Sequence, residues 1–282
     1  MIRYAGIGDE AGPALDTQLA ALAELGWDAI ELRTVDGRHL ADLDDRRFAA
    51  IAARIADAGP RVVCVDSRIG DWSRPITSPF EVDLAELYVL AKRCAVLGTR
   101  FVRVMSYPNA GLPADEWRAR VVGRMRVLAD RAERAGLVLL HENCAGWAAT
   151  DGDRMVELLS AVDSPALRLL FDVGNGVAHG YRASEVLDRI APHVAHVHVK
   201  DAVRVGATTV YTLPGRGEAD VAGCLRTLLA HGYRGHLSIE PHLAVRPHEG
   251  VAHDDGGAAF VAFGAALRDL VDSLPRTDPV VL

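Results

Sequence analysis

Four hydrophobic runs of this chain each end near an acidic residue or a histidine, and these end residues could do chemistry together. The runs cover residues 137–143, 167–175, 194–201 and 236–242. Each run predicts a buried strand that delivers one polar side chain at its carboxyl end. The side chains in these places are Glu142, Asp172, His198 and Glu240. No local ligand spacing such as CxxC or HExxH accompanies them, so only the fold could assemble them into one site.

Three carboxylates and one imidazole form a donor set in which hard oxygen atoms dominate. Such a set suits Mn²⁺, Mg²⁺, Co²⁺ or Fe²⁺ better than a structural Zn²⁺. A bound divalent ion polarises a carbonyl group, which acidifies the adjacent C–H and stabilises an enediolate. A pair of carboxylates across the substrate could then move the proton. Taken singly, the acids have simpler explanations, because Glu142 could be a salt-bridged strand end and Asp172 could cap the next helix.

The third run contains two histidines, and one of them is the better candidate ligand. Alternation along a strand places His196 and His198 on one face, with Val197 and Val199 on the other. His198 is nearer the carboxyl end of the strand and is therefore the predicted ligand. His196 is then a packed or hydrogen-bonded core residue, and Lys200 continues the same face beyond the carboxyl end of the strand.

The elements that must position these residues repeat along the whole chain. Four further strand candidates precede the runs above, at residues 4–8, 29–33, 62–67 and 101–106. Segments with apolar residues at helical spacing separate the strands, and several of these segments end at glycine, which is typical of helix ends. Eight such units predict an α/β protein, a (β/α)8 TIM barrel, with catalytic residues at the carboxyl ends of its strands. A doubly wound open sheet is the rival architecture, but the loop after the first strand, GDEAGP, lacks the GxGxxG spacing.

The bulk properties of the chain limit its partners and its location. We expect residues 1–274 to form a single barrel domain and residues 275–282 to form a C-terminal tail. The net charge of -7 argues against a nucleic-acid partner, because phosphate binding needs clustered Lys and Arg. No apolar run approaches the ~20 residues that span a bilayer, and the N-terminus does not resemble a signal peptide. These features predict a cytoplasmic protein that acts on a small molecule and binds neither nucleic acid nor membrane.

Five motifs make the chain resemble the xylose isomerase-like TIM barrel superfamily, which contains sugar phosphate isomerases and epimerases. They are HEN at 141–143, FDVGN at 171–175, HVHVKD at 196–201, PGRGEAD at 214–220 and GYRGHLSIEPH at 232–242. The resemblance implies one divalent metal ion, Mn²⁺ first and Co²⁺, Mg²⁺, Fe²⁺ or Zn²⁺ as alternatives, held by Glu142, Asp172, His198 and Glu240. In the ketose epimerases of this group the two glutamates are also the acid/base pair, so it implies that catalytic role for Glu142 and Glu240.

The resemblance also implies residues that contact the substrate. The family places an arginine shortly after the ligand histidine, and Arg204 has a matching offset, although it could equally be a solvated loop residue. Asn175 replaces a histidine that epimerases often carry, and its amide can bind hydroxyl groups but has no charge. Lys200 is closer to the inosose-processing branch, where a cation could hold an enolate or act as an acid. Glu218 lies in a predicted βα loop, where polar residues suit a sugar or cyclitol.

The predicted function is a divalent-metal-dependent isomerase or epimerase of a sugar, cyclitol or small hydroxy-ketone, with proton transfer through a metal-bound enediolate. The alternative is an inosose-type dehydratase, a lyase that uses the same metal site and the same first proton abstraction. A non-catalytic barrel would make the four ligands dispensable, and a three-zinc nuclease would need more histidines at strand ends. Related barrels often pair, so a homo-oligomer is among the expected states. Weaker candidates for the pocket are Asp9, Glu10, Glu31, Asp66, Tyr107, Asn109 and Trp147.

Overall fold

The computed structural model describes residues 2–246, 250–252 and 255–275, and eight parallel strands form its centre. The strands are β1 (Arg3–Gly6), β2 (Ala29–Leu32), β3 (Arg61–Asp66), β4 (Phe101–Ser106), β5 (Val138–Gly146), β6 (Leu167–Asp172), β7 (Val194–Val199) and β8 (His236–Ile239). Their order in the sheet is β1-β8-β7-β6-β5-β4-β3-β2. A parallel bridge between Ile7 and Glu31 joins the two edges. The prediction of a (β/α)8 barrel is therefore confirmed. Between β1 and β2 the described residues show this isolated bridge instead of a longer ladder.

Helices connect the strands and surround them. They are α1 (Leu15–Leu25), α2 (Asp45–Ala58), α3 (Phe80–Leu97), α4 (Ala114–Arg134), α5 (Gly152–Val162), α6 (Asn175–His179), α7 (Ala183–Ile190), α8 (Val221–Ala230) and α9 (Gly256–Ser273). Helix α9 packs against α1 and so completes the outer ring. Helices α1 and α2 end at Gly26 and Gly59 in the left-handed conformation, which glycine adopts without strain.

In the part of the chain that the structure describes, three short antiparallel hairpins lie outside the barrel, after β2, β7 and β8. They pair Thr34–Val35 with Arg38–His39, Ala202–Val205 with Thr208–Tyr211, and Val245–Arg246 with Val251–Ala252. Because each hairpin follows the carboxyl end of a strand, all three belong to the same end of the barrel. Catalytic residues gather at that end in TIM barrels.

The inside of the barrel changes from apolar to polar along its axis. Cys64, Leu140 and Leu170 are fully buried and form a small cluster of their own, separate from the main core between strands and helices. Side chains two residues apart on a strand share a face. The inward positions that follow Leu140 and Leu170 are therefore Glu142 and Asp172. Along these strands the interior of the barrel is thus apolar first and acidic toward the carboxyl end.

The ends of the chain bear on two further predictions. Helix α9 ends at Ser273, and residues 276–282, which make up most of the predicted tail, lie outside the described residues. The division at residue 274 into one barrel domain and a tail therefore stays a prediction. Within the described part of the chain, no helix combines the length and the apolar character that a bilayer crossing requires.

Candidate metal centre

The four predicted ligands come together at the carboxyl end of the barrel. They are delivered by β5 (Glu142), β6 (Asp172), β7 (His198) and the residue after β8 (Glu240). One ligand atom of each residue lies within 4.8 Å of the ligand atoms of the other three, and all four residues are buried. Four consecutive strands thus aim one side chain each at a single point. The ligand role itself stays a prediction.

Two buried atoms in this cluster indicate that it fits a metal ion. Asp172 Oδ2 and His198 Nδ1 have no hydrogen-bond partner among the described residues. His198 Nδ1 lies 3.7 Å from Glu142 Oε1 and 3.9 Å from Glu240 Oε2. An unsatisfied buried polar atom costs about 1–3 kcal/mol, so two such atoms on residues whose ligand atoms lie within 4.8 Å of one another call for a shared ligand. Carboxylate oxygens with one imidazole nitrogen are donors that suit a divalent ion.

Asp172 both caps a helix and faces the cluster. Its Oδ1 accepts hydrogen bonds from the backbone N–H groups of Gly174 (2.8 Å) and Asn175 (2.7 Å), at the start of α6. The Asn143 side chain holds the Asp172 backbone, donating to its carbonyl at 2.8 Å and accepting from its N–H at 2.6 Å. Oδ2 is left for the cluster, so the capping role that the sequence offered as an explanation does not compete with ligation.

Buried arginines hold the two glutamates, and sequence reasoning missed both. Arg33 donates to Glu240 Oε1 at 2.6 Å, and Arg103 donates to Glu142 Oε2 at 3.2 Å. Burial raises the pKa of Glu142, but Arg103 and His198 outweigh it and lower the pKa to about 2. Burial also raises the pKa of Glu240, but Lys200 and other nearby cations outweigh burial and hold this pKa well below the usual value. A charged residue inside an apolar strand, as in FVRVMS, was the available signal for Arg103.

Two of the predicted substrate residues lie within the cluster. Lys200 Nζ is 2.5 Å from Glu240 Oε2 and 3.4 Å from Asp172 Oδ2. It also donates to Asn175 Oδ1 at 3.2 Å, while Asn175 Nδ2 donates to Glu142 Oε1 at 3.1 Å. Burial lowers the pKa of Lys200, but Asp172 and Glu240 raise it well above the usual value. The cluster therefore contains a charged ammonium group, and the substrate roles of Lys200 and Asn175 stay predictions.

The structure does not bring Arg204 and Glu218 to the cluster. Both side chains are exposed. Arg204 donates to the backbone carbonyls of Val177 (3.2 Å) and Ala178 (3.1 Å) in α6, and its own N–H lies 3.4 Å from Glu218 Oε2. Arg204 thus fastens the hairpin after β7 to α6. Any contact of Arg204 or Glu218 with substrate would therefore have to be made outside the cluster, at the exposed edge of this end of the barrel.

Among the weaker candidates, Glu10 belongs to a group of polar residues beside the cluster, whereas Tyr107 and Asn109 make structural hydrogen bonds elsewhere. Glu10 accepts from Arg33 at 2.6 Å and meets His242 Nδ1 at 2.9 Å, and Lys200 Nζ lies 3.4 Å from His242 Nε2. Tyr107 and Asn109 instead support loops. The Tyr107 hydroxyl donates to Asp83 at 2.8 Å, and Asn109 exchanges two hydrogen bonds with the Leu112 backbone.

Metal affinity is expected to rise as the pH increases through ~6 and to continue rising above it. Burial and the neighbouring Glu240 and Glu142 raise the pKa of Asp172 to about 6, against the effect of Lys200. Below that pH an incoming ion must displace the Asp172 proton, which weakens binding by up to ~10-fold per pH unit. His198, whose pKa Glu31 and Glu142 raise well above the usual value against burial, adds a second proton to be displaced. Chelator competition at several pH values measures this slope, and a pH-independent Kd would contradict it.

Comparison with known proteins finds one matching family model and several similar dehydratases. The family model described as xylose isomerase-like TIM barrel matches residues 19–255. An inosose dehydratase of Clostridium perfringens is 29% identical over 147 residues, which are 46% of this chain and 48% of the relative. A 3-dehydroshikimate dehydratase of Pseudomonas putida is 30% identical over 151 residues, covering 51% of this chain and 24% of the relative. The chain therefore spans about half or less of the length of these curated relatives.

A solved structure extends the likeness to the whole barrel. The crystal structure of the IolI protein with a bound zinc atom superposes with a TM-score of 0.79 at 17% identity, over 98% of this chain and all of the other (100%). At this identity the likeness concerns the fold alone.

Proposed function

Because the chain belongs to the xylose isomerase-like TIM barrel family, we propose that it is a divalent-metal-dependent lyase that dehydrates a keto-cyclitol or a related hydroxy-ketone. The observation that carries this proposal is the buried ammonium group of Lys200, 2.5 Å from Glu240 Oε2 inside the predicted ligand cluster. Dehydration needs a base for the proton beside the carbonyl and an acid for the departing hydroxyl group. The dehydratases to which the chain is similar, including those of Clostridium perfringens and Pseudomonas putida, support the same reaction.

The metal would be held by Glu142, Asp172, His198 and Glu240. When bound, a divalent ion polarises the substrate carbonyl and so acidifies the neighbouring C–H. The oxygen-rich donor set suits several divalent ions, and Mn²⁺ is our first expectation among them because the family resemblance implies it. The zinc atom of the IolI structure supports Zn²⁺ as the main alternative.

We assign the proton transfers to the two sides of the cluster. Glu142 accepts the proton from the carbon beside the carbonyl, because it is a carboxylate that Lys200 does not pair with directly. The C–H electron pair forms the new double bond, and the C–O bond of the β-hydroxyl group breaks with its own pair. Lys200 donates a proton to that oxygen, which leaves as water. The product is an unsaturated ketone, and solvent later removes the proton from Glu142 and returns one to Lys200.

Asn175 connects the proposed base with the proposed acid. Its side chain donates to Glu142 Oε1 at 3.1 Å and accepts from Lys200 Nζ at 3.2 Å. A neutral amide can serve both neighbours at once, because it carries a donor and an acceptor. Asn175 thus keeps the carboxylate and the ammonium apart and aligned, and a substrate hydroxyl group could replace either contact.

Epimerisation is the second candidate, and a separate feature favours it. Glu142 and Glu240 approach His198 Nδ1 at 3.7 and 3.9 Å from strands β5 and β8, which are not neighbours in the sheet. A substrate bound between two such carboxylates could lose a proton to one and regain it from the other, on the opposite face. This is the reaction predicted first from the sequence.

One experiment separates the two candidates. Protein loaded with Mn²⁺ is mixed in D₂O with an inosose or with 3-dehydroshikimate, and both ultraviolet absorbance and deuterium in the recovered substrate are followed. We expect a growing ultraviolet absorbance of the unsaturated product, an enone from the inosose and an aromatic catechol from 3-dehydroshikimate, that chelator abolishes. Deuterium incorporation or a new stereoisomer without enone would favour epimerisation. No change with any keto-cyclitol or hydroxy-ketone would contradict both candidates.

A further inference from the structure

Glu31 on β2 contacts both histidines of β7 from across the barrel. Its Oε2 lies 2.8 Å from His196 Nε2, and its Oε1 lies 3.0 Å from His198 Nε2. All three side chains are at most 1% exposed. Strands β1 and β8 separate β2 from β7 around the barrel, so the contact is made through the interior. The two imidazole rings stand nearly perpendicular, at 82°, which lets one carboxylate meet both rings.

This arrangement fixes where the imidazole protons lie. An ionised carboxylate only accepts hydrogen bonds, so each Nε2 atom must be the donor. His198 must lose one proton before it can bind an ion, and because Glu31 holds the other proton on Nε2, the neutral imidazole that results has its free electron pair on Nδ1. That same Nδ1 faces the carboxylates of the cluster and has no hydrogen-bond partner within the described ranges. The nitrogen that Glu31 leaves free is therefore the nitrogen that an ion would need.

We propose that Glu31 is a positioning residue for the metal: it holds the His198 proton on Nε2, which commits Nδ1 to the ion, and it keeps His196 out of the ligand set. The proposal rests on the proposed metal-dependent function. In proteins, a carboxylate that accepts from the far nitrogen of a ligand histidine orients the ring and makes it a better ligand. Loss of such a partner typically weakens metal binding 10–100-fold.

Glu31 has another pair of neighbours, which suggests a rival role. Ligand atoms of Glu31, Cys64 and Asp66 also lie within 4.8 Å of one another. Both oxygens of Glu31 are already engaged by the two histidines, however. Arg103 Nε lies 3.7 Å from Asp66 Oδ1 and supplies positive charge there. Glu31 is thus better placed to orient imidazoles than to hold a second ion.

The test compares metal dissociation constants of the full-length protein, measured by chelator competition with Mn²⁺ or Zn²⁺. Glu31→Leu removes both acceptor oxygens, and we expect its Kd to rise 10–100-fold while one ion still binds at saturation. His196→Gln is the matched control, because its amide can still donate to Glu31 and leaves the Glu31–His198 contact in place. We expect the control to bind the ion as tightly as the wild type does.

A second measurement does not depend on the folding of any variant. Long-range ¹H–¹⁵N spectra of the zinc-loaded wild type report the protonation of each histidine nitrogen. We expect a proton on Nε2 of both His196 and His198, and zinc on Nδ1 of His198.

The possible results distinguish a failure of the role of Glu31 from a failure of the proposed function. A wild type that binds no ion would remove the proposed function. If the wild type binds an ion, any one of three results would overturn the role of Glu31 alone. They are an unchanged Kd in Glu31→Leu, zinc on Nε2 of His198, or equal weakening of binding in His196→Gln. Two ions per chain would make Glu31 a ligand of a second site and would overturn it as well.

Discussion

Asp172→Asn is expected to lower kcat/KM by at least about 1,000-fold and to remove the bound metal. The asparagine can keep its oxygen on the backbone N–H groups of Gly174 and Asn175, so the start of α6 is preserved. Its NH₂ group then replaces Oδ2, the oxygen that faces Lys200 Nζ at 3.4 Å within the ligand cluster, and an amide nitrogen does not bind a cation. Loss of a Lewis acid costs several kcal/mol of transition-state stabilisation, and ~4 kcal/mol corresponds to ~1,000-fold. Turnover and metal content should be measured on the same samples.

Asp220→Asn is the matched control for this substitution. Asp220 also begins a helix, because its side chain accepts from Gly223 N–H at the start of α8, but it is exposed and outside the cluster. The control should retain metal and turnover. If Asp172→Asn turns over substrate as fast as the wild type, the four strand ends are not the catalytic centre.

Lys200→Met is expected to separate the two halves of the proposed reaction. Methionine has similar length and no proton to donate, so loss of the hydroxyl group should slow by about 10²–10⁴-fold. Glu142 does not depend on Lys200 for its own contact with Arg103. Exchange of the substrate proton beside the carbonyl with D₂O should therefore persist. The measurement compares the rate of enone formation with the rate of deuterium incorporation in one reaction mixture.

Lys92→Met controls for the loss of a lysine elsewhere. Lys92 is exposed on α3, with its ammonium 4.1 Å from the centre of the Tyr88 ring, and its replacement should change neither rate. Metal content should survive in Lys200→Met, because removal of a cation leaves the four ligands in place. An equal fall of both rates would mean that Lys200 holds the substrate rather than donating the proton. Unchanged enone formation would contradict its role altogether.

The strand ends could be predicted from sequence because each is a local property. Residues 169–171 are apolar and lead directly to a single acid, and the strand that forms, β6, ends at that acid, Asp172. The choice of His198 over His196 needed only the two-residue repeat of a strand and the position of its carboxyl end. Once the barrel is predicted, its geometry brings such ends together without any knowledge of distances.

The surroundings of the ligands could not be predicted because they depend on distant pairs. Glu31 meets His196 across 165 positions of sequence, and Arg33 meets Glu240 across 207. A single sequence contains no record of such contacts. Arg204 illustrates the same limit, because its offset from His198 matches a family pattern, whereas its hydrogen bonds to α6 depend on how the hairpin after β7 folds. Its contact with substrate stays a prediction.

The measurement that tests the central claim most directly is the metal content of the purified wild type by inductively coupled plasma mass spectrometry, beside His198→Ala. We predict one divalent ion per chain in the wild type and its loss in the variant, whose imidazole is the single nitrogen ligand of the cluster. Absence of metal from the wild type, even after reconstitution with Mn²⁺ or Zn²⁺, would contradict the account. Three zinc ions per chain would contradict it too and would favour a nuclease.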